Sequence, residues 1–194
     1  MITLTGFKKS CKIIAVALAA IFLAGGVITG VAAYLSSRTE QVNNTLTVGD
    51  VSISIAETNE KMLPLIPGST ISKDPKITVK SGSADCYLYV KVRESDNLKT
   101  YISYKLASGW KPLGDEYPNV YYREVDSMNV DIIFSILEGD KVKAIDVDDA
   151  TLASLTAETL PKLAFVGFAV QKKDVDNATA GWGALKARYQ RATS

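Results

Sequence analysis

The sequence predicts an all-β domain, a jelly-roll-like β-sandwich with one short helix and one C-terminal helix, preceded by an N-terminal signal helix. Short segments of alternating apolar and polar residues, rich in β-branched and aromatic side chains, follow one another from about residue 45 to residue 171. Gly, Pro and Asp separate these segments as turn-forming residues do. Only two segments have the apolar spacing of a helix, and no strand alternates with long helices, which favours a sandwich over a parallel α/β sheet.

The first element is a secretory signal peptide, residues 1–33. Three lysines lie within the first 12 residues, and residues 13–33 contain no charge. The run ends in Val-Ala-Ala, which is typical of a signal peptidase site and predicts cleavage between Ala33 and Tyr34. A retained membrane anchor is the alternative, because the run also approaches the ~20 residues that span a bilayer. Three glycines near its end favour cleavage.

Removal of the signal peptide changes the charge of the chain. The removed segment holds three of the 22 basic residues and none of the 21 acidic ones, so 19 basic and 21 acidic residues remain. This balance predicts no nucleic-acid partner, and contact with a membrane only through an uncleaved signal segment. Cys86 is then the only cysteine, which excludes an intramolecular disulfide and predicts a buried, inert thiol.

A polar arm, residues 34–44, connects the signal peptide to the β-sandwich domain, residues 45–194. The first strand pattern places Leu46 and Val48 on one face, and a bend at residues 49–50 separates it from a second alternating segment at residues 51–55. In the segment 87–92 the aliphatic residues Leu88, Val90 and Val92 share one face, which predicts that this face points into the core. The further predicted strands span residues 76–80, 101–106, 120–125, 130–137, 141–147 and 162–171, and the fifth of these is expected to pair with the fourth.

The short helix is predicted to follow Asp148 or Asp149 and to reach Ala157. Asp146 joins these residues in an acidic cluster. Helix capping is the favoured interpretation of that cluster, and a calcium site of oxygen ligands is the alternative.

The C-terminal helix is predicted over residues 177–191, with Asp174 or Asp176 as its cap. Apolar residues recur at spacings of three and four from Trp182 to Tyr189. Two glycines lower its helix propensity, so packing on the sandwich is expected to hold it in place.

The chemistry of most enzymes is missing from this composition. The chain has no histidine, which removes the commonest general base and most zinc sites, and it has no glycine-rich phosphate loop. We therefore predict no catalytic residues, no cofactor and no metal. Six tyrosines suit either a sugar-binding or protein-binding surface or simply the interior of strands. They are Tyr87, Tyr89, Tyr101, Tyr104, Tyr121 and Tyr122.

Five short runs follow one another along the sequence. They are Ala-Ala-Tyr-Leu at residues 32–35, residues 44–53, Pro-Gly at 67–68 with Lys-Asp-Pro at 73–75, residues 121–125, and Ala-Val-Gln at 169–171 followed by Trp182. In this order the runs resemble the TasA/camelysin family of exported Gram-positive proteins.

The resemblance implies a jelly-roll protein that is secreted to the cell surface or biofilm matrix after cleavage by a SipW-type signal peptidase. It further implies fibres built by donor-strand exchange, in which the N-terminal arm adds a strand to the next subunit. The donor is then residues 34–47, with Leu35, Val42, Leu46 and Val48 as its apolar side chains. The partners are other copies in a head-to-tail polymer, or related matrix subunits.

Two alternatives to the polymer remain. The first is a monomeric secreted or surface binding protein, or an accessory subunit of such a fibre. The second is a metalloprotease, as camelysin-like members are described to be. The sequence favours it least because it offers no histidine ligand and no recognisable catalytic base.

Overall fold

The computed structural model describes residues 34–35, 47–48, 50–58 and 63–192. The predicted signal helix, residues 1–33, and most of the predicted arm lie outside the described residues. Most of the described secondary structure consists of strands in antiparallel sheets, with few helices, so the all-β prediction is confirmed.

The strands are β1 (Tyr34–Leu35), β2 (Thr47–Val48), β3 (Ile53–Ala56), β4 (Leu63–Pro64), β5 (Thr70–Ser72), β6 (Lys76–Val79), β7 (Cys86–Glu94), β8 (Ile102–Ser103), β9 (Lys111–Pro112), β10 (Val120–Val125), β11 (Ile132–Ser135), β12 (Lys141–Ala144) and β13 (Leu163–Gln171). The helices are α1 (Leu98–Tyr101), α2 (Asp149–Ala153) and α3 (Ala178–Ala192), with short 3-10 turns at Glu138–Asp140 and Lys172–Asp174.

The largest sheet has five strands in the order β2-β13-β7-β10-β9. Its pairings are antiparallel except that of β2, which runs parallel to β13. Two three-stranded sheets have the orders β11-β6-β3 and β5-β12-β8, and β1 pairs with β4 alone. The nine-residue strands β7 and β13 form the longest ladder and lie at the centre of the largest sheet.

The main core lies on the inner face of the five-stranded sheet. Leu88, Val90 and Val92 are buried there, as the alternation in the sequence predicts. The sheets approach so closely at Gly167 of β13 that a Cβ atom would lie 2.6 Å from Cδ1 of Ile77 in β6. A side chain at this position would therefore force the two sheets apart.

The outer face of the same sheet is covered by α3. Trp182 and Leu185 are buried against it, which confirms that the helix packs on the sheets. The phenol of Tyr89 donates a hydrogen bond of 2.8 Å to the carbonyl of Ala178 in the first turn of α3. The Trp182 ring meets that of Phe168 edge to face, with centroids 5.1 Å apart. The side chain of Tyr189 is outside the described part.

The predicted pairing of residues 141–147 with residues 130–137 is wrong. β12 pairs with β5 and β8, whereas β11 pairs with β6. Gly139 and Asp140 both have positive φ angles, 63° and 53°, in the 3-10 turn between the two strands. This turn directs the chain into a different sheet, so no hairpin forms.

Two helix boundaries also differ from the prediction. The short helix ends at Ala153 rather than at Ala157. The first turn of α3 is capped by Asn177, whose side-chain oxygen accepts a 2.9 Å hydrogen bond from the N–H of Ala180, and not by Asp174 or Asp176. Asn is as good a cap as Asp, so residue type alone does not select among the three positions.

Candidate functional site

The outer edge of β13 is the most open edge in the largest sheet. β7 pairs with β13 along its whole length, but on the other side β2 meets only Ala169 and Val170. Among the strands that the structure describes, no other lies on that side. The edge formed by residues 163–168, hereafter the β13 edge, therefore has no described strand partner.

Two hydrogen bonds at the ends of the β7–β13 ladder show which backbone groups face the β13 edge. The N–H of Ser95 donates to the carbonyl of Lys162 over 3.0 Å. The N–H of Lys172 donates to the carbonyl of Asp85 over 2.8 Å. Even-numbered residues therefore bond towards β7, and odd-numbered residues direct their N–H and C=O groups outward, since antiparallel ladders alternate in this way. The outward residues are Leu163, Phe165 and Gly167.

The side chains of these outward residues belong to the main core. Leu163 and Phe165 are fully buried, and Gly167 lies against Ile77. A strand added at the β13 edge would thus gain backbone hydrogen bonds beside an apolar core. That combination provides affinity in β-augmentation.

The described ends of the predicted donor segment rest on the chain's own domain. Tyr34, the first residue after the predicted cleavage point, and Leu35 form β1 and pair antiparallel with β4. Val48 lies in β2 and pairs with β13. Ala33, Val42 and Leu46 lie outside the described residues. Both described ladders of this segment are only two residues long.

The six tyrosines divide between two regions and do not form one surface. Tyr87, Tyr89 and Tyr122 pack in the cluster beneath α3, and Tyr101, Tyr104 and Tyr121 contact the main core. Tyr87 and Tyr122 meet edge to face across β7 and β10, with centroids 6.4 Å apart. Alternation along each strand did not predict this distribution, because strand pairing decides which tyrosines of different strands share a face of the sheet.

A cleft of about 670 Å³ beside β8 contains a half-buried polar contact that the sequence did not indicate. The phenol of Tyr104 donates a short hydrogen bond to a carboxylate oxygen of Glu94, and Nζ of Lys99 lies 3.6 Å from the other oxygen. Burial, followed by the bond to Glu94, raises the pKa of Tyr104 well above its ordinary value. The phenol stays protonated at neutral pH and acts as a fixed hydrogen-bond donor.

The acidic cluster before α2 contains a helix cap. The Asp148 carboxylate accepts a 2.7 Å hydrogen bond from the N–H of Thr151, and this bond lowers the pKa of Asp148. Within the described ranges, no three Cys, Asp and Glu side chains gather closely enough to hold a metal ion. Cys86 is buried, as predicted, and burial raises the pKa of its thiol to about 11.

Comparison of the chain with family models, curated proteins and solved structures finds no match. In the part of the chain that the structure describes, every helix is too short or too polar to span a bilayer. The function must therefore be argued from the fold and from the β13 edge.

Proposed function

We propose that this chain is an exported subunit of the cell surface or biofilm matrix that assembles into fibres by donor-strand exchange of its N-terminal arm. In this proposal the domain is a jelly roll of the TasA/camelysin type, and a SipW-type peptidase releases it at Tyr34. The observation that carries the proposal is the β13 edge, whose outward backbone groups lie beside the main core.

The register of β2 indicates how a donor strand would lie. Thr47 is opposite Ala169 in a parallel pairing, so continuing that register backwards places residues 41–46 beside residues 163–168. Val42, Leu46 and Val48 are separated by even numbers of residues, and they would share one face of such a strand. The apolar residues of the arm would then lie on the same face as Phe168 of β13.

The energetics favour exchange over a locked monomer. Within the described residues of one chain, the ladders of β1 and β2 are two residues long each. A backbone hydrogen bond contributes a net of about 0.5–1.5 kcal/mol, so releasing these ladders costs only a few kcal/mol. A donor that fills the β13 edge of the next subunit makes a longer ladder. Because this contact is head to tail and does not close on itself, it produces a filament.

Electron microscopy of the chain from Tyr34 onwards, with and without residues 34–44, tests the proposal. We expect fibres from the complete mature chain and none after the deletion. Val42→Lys with Leu46→Lys should also abolish fibres, because two charges would meet the apolar face of β13. Thr39→Lys is the matched control, because residue 39 precedes the part of the arm that would lie beside β13, and it should leave the fibres intact. Fibres that persist unchanged after the deletion would refute the proposal.

A monomeric accessory or binding subunit is the second candidate, and one observation favours it. β1 pairs with β4 of the same chain, as expected for an arm that packs on its own domain. This candidate predicts a single monomeric species at high concentration in analytical ultracentrifugation. It also predicts that the deletion of residues 34–44 lowers stability without changing the assembly state.

A further inference from the structure

A second site lies on the opposite face of the five-stranded sheet, where α3 passes over its outer surface. A cavity of about 280 Å³ opens there between α3, β7, β13 and the loop that leads into β10. We name it the basic cavity. Its defining side chains are Lys91, Arg93, Tyr117, Phe168, Trp182 and Lys186.

The cations of the basic cavity follow from the pattern of β7. Tyr87 and Tyr89 occupy the outer face of this strand where α3 covers it, and Lys91 and Arg93 continue the same face beyond them. Lys186 follows Trp182 by about one turn on α3. The result is three positive side chains around one opening.

The positive charges of Lys91 and Lys186 are local to this cavity. Lys91 and Lys186 are exposed and form no ion pair with any residue that the structure describes. Glu116 is the one acidic residue in the described lining. The chain from Tyr34 onwards has more acidic than basic residues, so the cavity opposes the charge of the whole domain.

One wall of the basic cavity is aromatic. Trp182 is only 7% exposed, and its ring stands at 89° to that of Phe168, which leaves the two rings as a fixed apolar corner. Tyr117 adds a half-buried ring on the loop side. Rigid aromatic faces beside cations suit a ligand that has both an apolar face and a negative group.

We propose that the basic cavity binds a uronic-acid ring of an acidic polysaccharide. The C–H face of the sugar would lie on the half-buried rings of Phe168 and Tyr117, and its carboxylate would accept charge-assisted hydrogen bonds from Lys91 and Lys186. The volume is just below the range of about 300–1,000 Å³ for drug-sized ligands, which suits a single ring. Nucleic acid fits less well, because the domain has no basic stripe and its net charge repels phosphates.

Isothermal titration calorimetry of the chain from Tyr34 onwards tests the site, with an oligogalacturonate as the probe. The chain should bind this acidic oligomer but not a neutral galacto-oligosaccharide, and its affinity should fall with added salt. Lys91→Gln combined with Lys186→Gln should weaken binding about tenfold or more, since two charged hydrogen bonds are lost. Tyr117→Ala should weaken binding without changing its salt dependence.

Lys143→Gln is the matched control, because Lys143 is also an exposed strand lysine but lies on β12, away from the cavity. It should bind as the unchanged protein does. Three results would overturn the proposal: no binding of the oligogalacturonate, equal loss in the Lys143→Gln control, or tighter binding of a single-stranded DNA oligonucleotide that the same double substitution removes. Phe168 belongs both to the cavity and to the β13 edge, but Lys91, Tyr117 and Lys186 lie outside the arm and that edge, so the substitutions tested here separate sugar binding from fibre formation.

Discussion

Two glycines two residues apart in α3 provide the sharpest test of how the helix lies on the sheet. A Cβ atom at Gly181 would fall well inside van der Waals contact with Oη of Tyr89, and 2.7 Å from Cγ1 of Val170. At Gly183 a Cβ atom would have no neighbour within 4 Å. The two alanine substitutions therefore gain the same helix propensity but meet opposite surroundings.

The expected changes in the free energy of unfolding follow from these distances. Alanine is favoured over glycine inside a helix by about 0.8–1.0 kcal/mol, and Gly183→Ala should retain most of this gain. At Gly181 the added methyl group overpacks the interface, which typically costs about 1–3 kcal/mol. It also displaces the Tyr89 phenol from the carbonyl of Ala178, a bond worth about 1 kcal/mol. Gly181→Ala should therefore destabilise the domain by about 1–3 kcal/mol.

Urea denaturation followed by tryptophan fluorescence measures both variants, because Trp182 lies in the same interface. The variants should differ by about 2–4 kcal/mol, which corresponds to roughly 4–16 °C in melting temperature for a chain of this size. If Gly181→Ala proved as stable as Gly183→Ala, α3 could not lie against Tyr89 and Val170, and the basic cavity would lose one wall.

Two further predictions concern groups with shifted pKa values. Cys86 should resist iodoacetamide at about pH 8 in the native chain and react only after unfolding, because it is buried and its thiol pKa is near 11. Intact mass spectrometry measures the extent of alkylation. Rapid alkylation of the native chain would contradict the prediction. The pKa of Asp148 in the folded chain lies below its ordinary value of 3.8, chiefly because of the hydrogen bond from the backbone of Thr151. The contribution of Asp148 to stability is therefore present above the ordinary pKa and is lost as the pH falls through the folded pKa. Asp148→Asn keeps an acceptor oxygen but does not titrate. Urea denaturation at a series of acidic pH values should therefore show that its free energy of unfolding falls less steeply with decreasing pH than that of the parent. Identical slopes of unfolding free energy against pH would exclude the cap as the cause.

Local sequence patterns correctly predicted the strands and helices in which residue spacing alone indicates the buried face. The alternation of Leu88, Val90 and Val92 with tyrosines correctly predicted which face of β7 enters the core, because an aliphatic row has only one favourable side. The apolar spacing around Trp182 and Leu185 likewise predicted a helix packed on the sheet. β10 begins and ends where the sequence predicts.

Local sequence patterns did not predict which strands pair with each other. Residues 141–147 form a strand pattern, but nothing within it distinguishes β11 from β5 as its neighbour, and the strand order of the folded domain decided against the nearer strand. The β13 edge, which no described strand covers, was also beyond local patterns. Whether an edge is covered depends on which strands are adjacent, and a strand looks the same in sequence whether it is paired on one side or on two.

The sequence by itself determined the fold class of this protein. Period-two alternation and turn residues imply an all-β domain, since these features depend only on residue type and spacing. The tertiary structure alone decided where the two proposed sites lie. The β13 edge arises from strand order, and the basic cavity arises because Lys91, Trp182 and Lys186 come from elements distant in the chain. Both depend on long-range pairing, which is set by the combined packing of all the strands and not by any one of them.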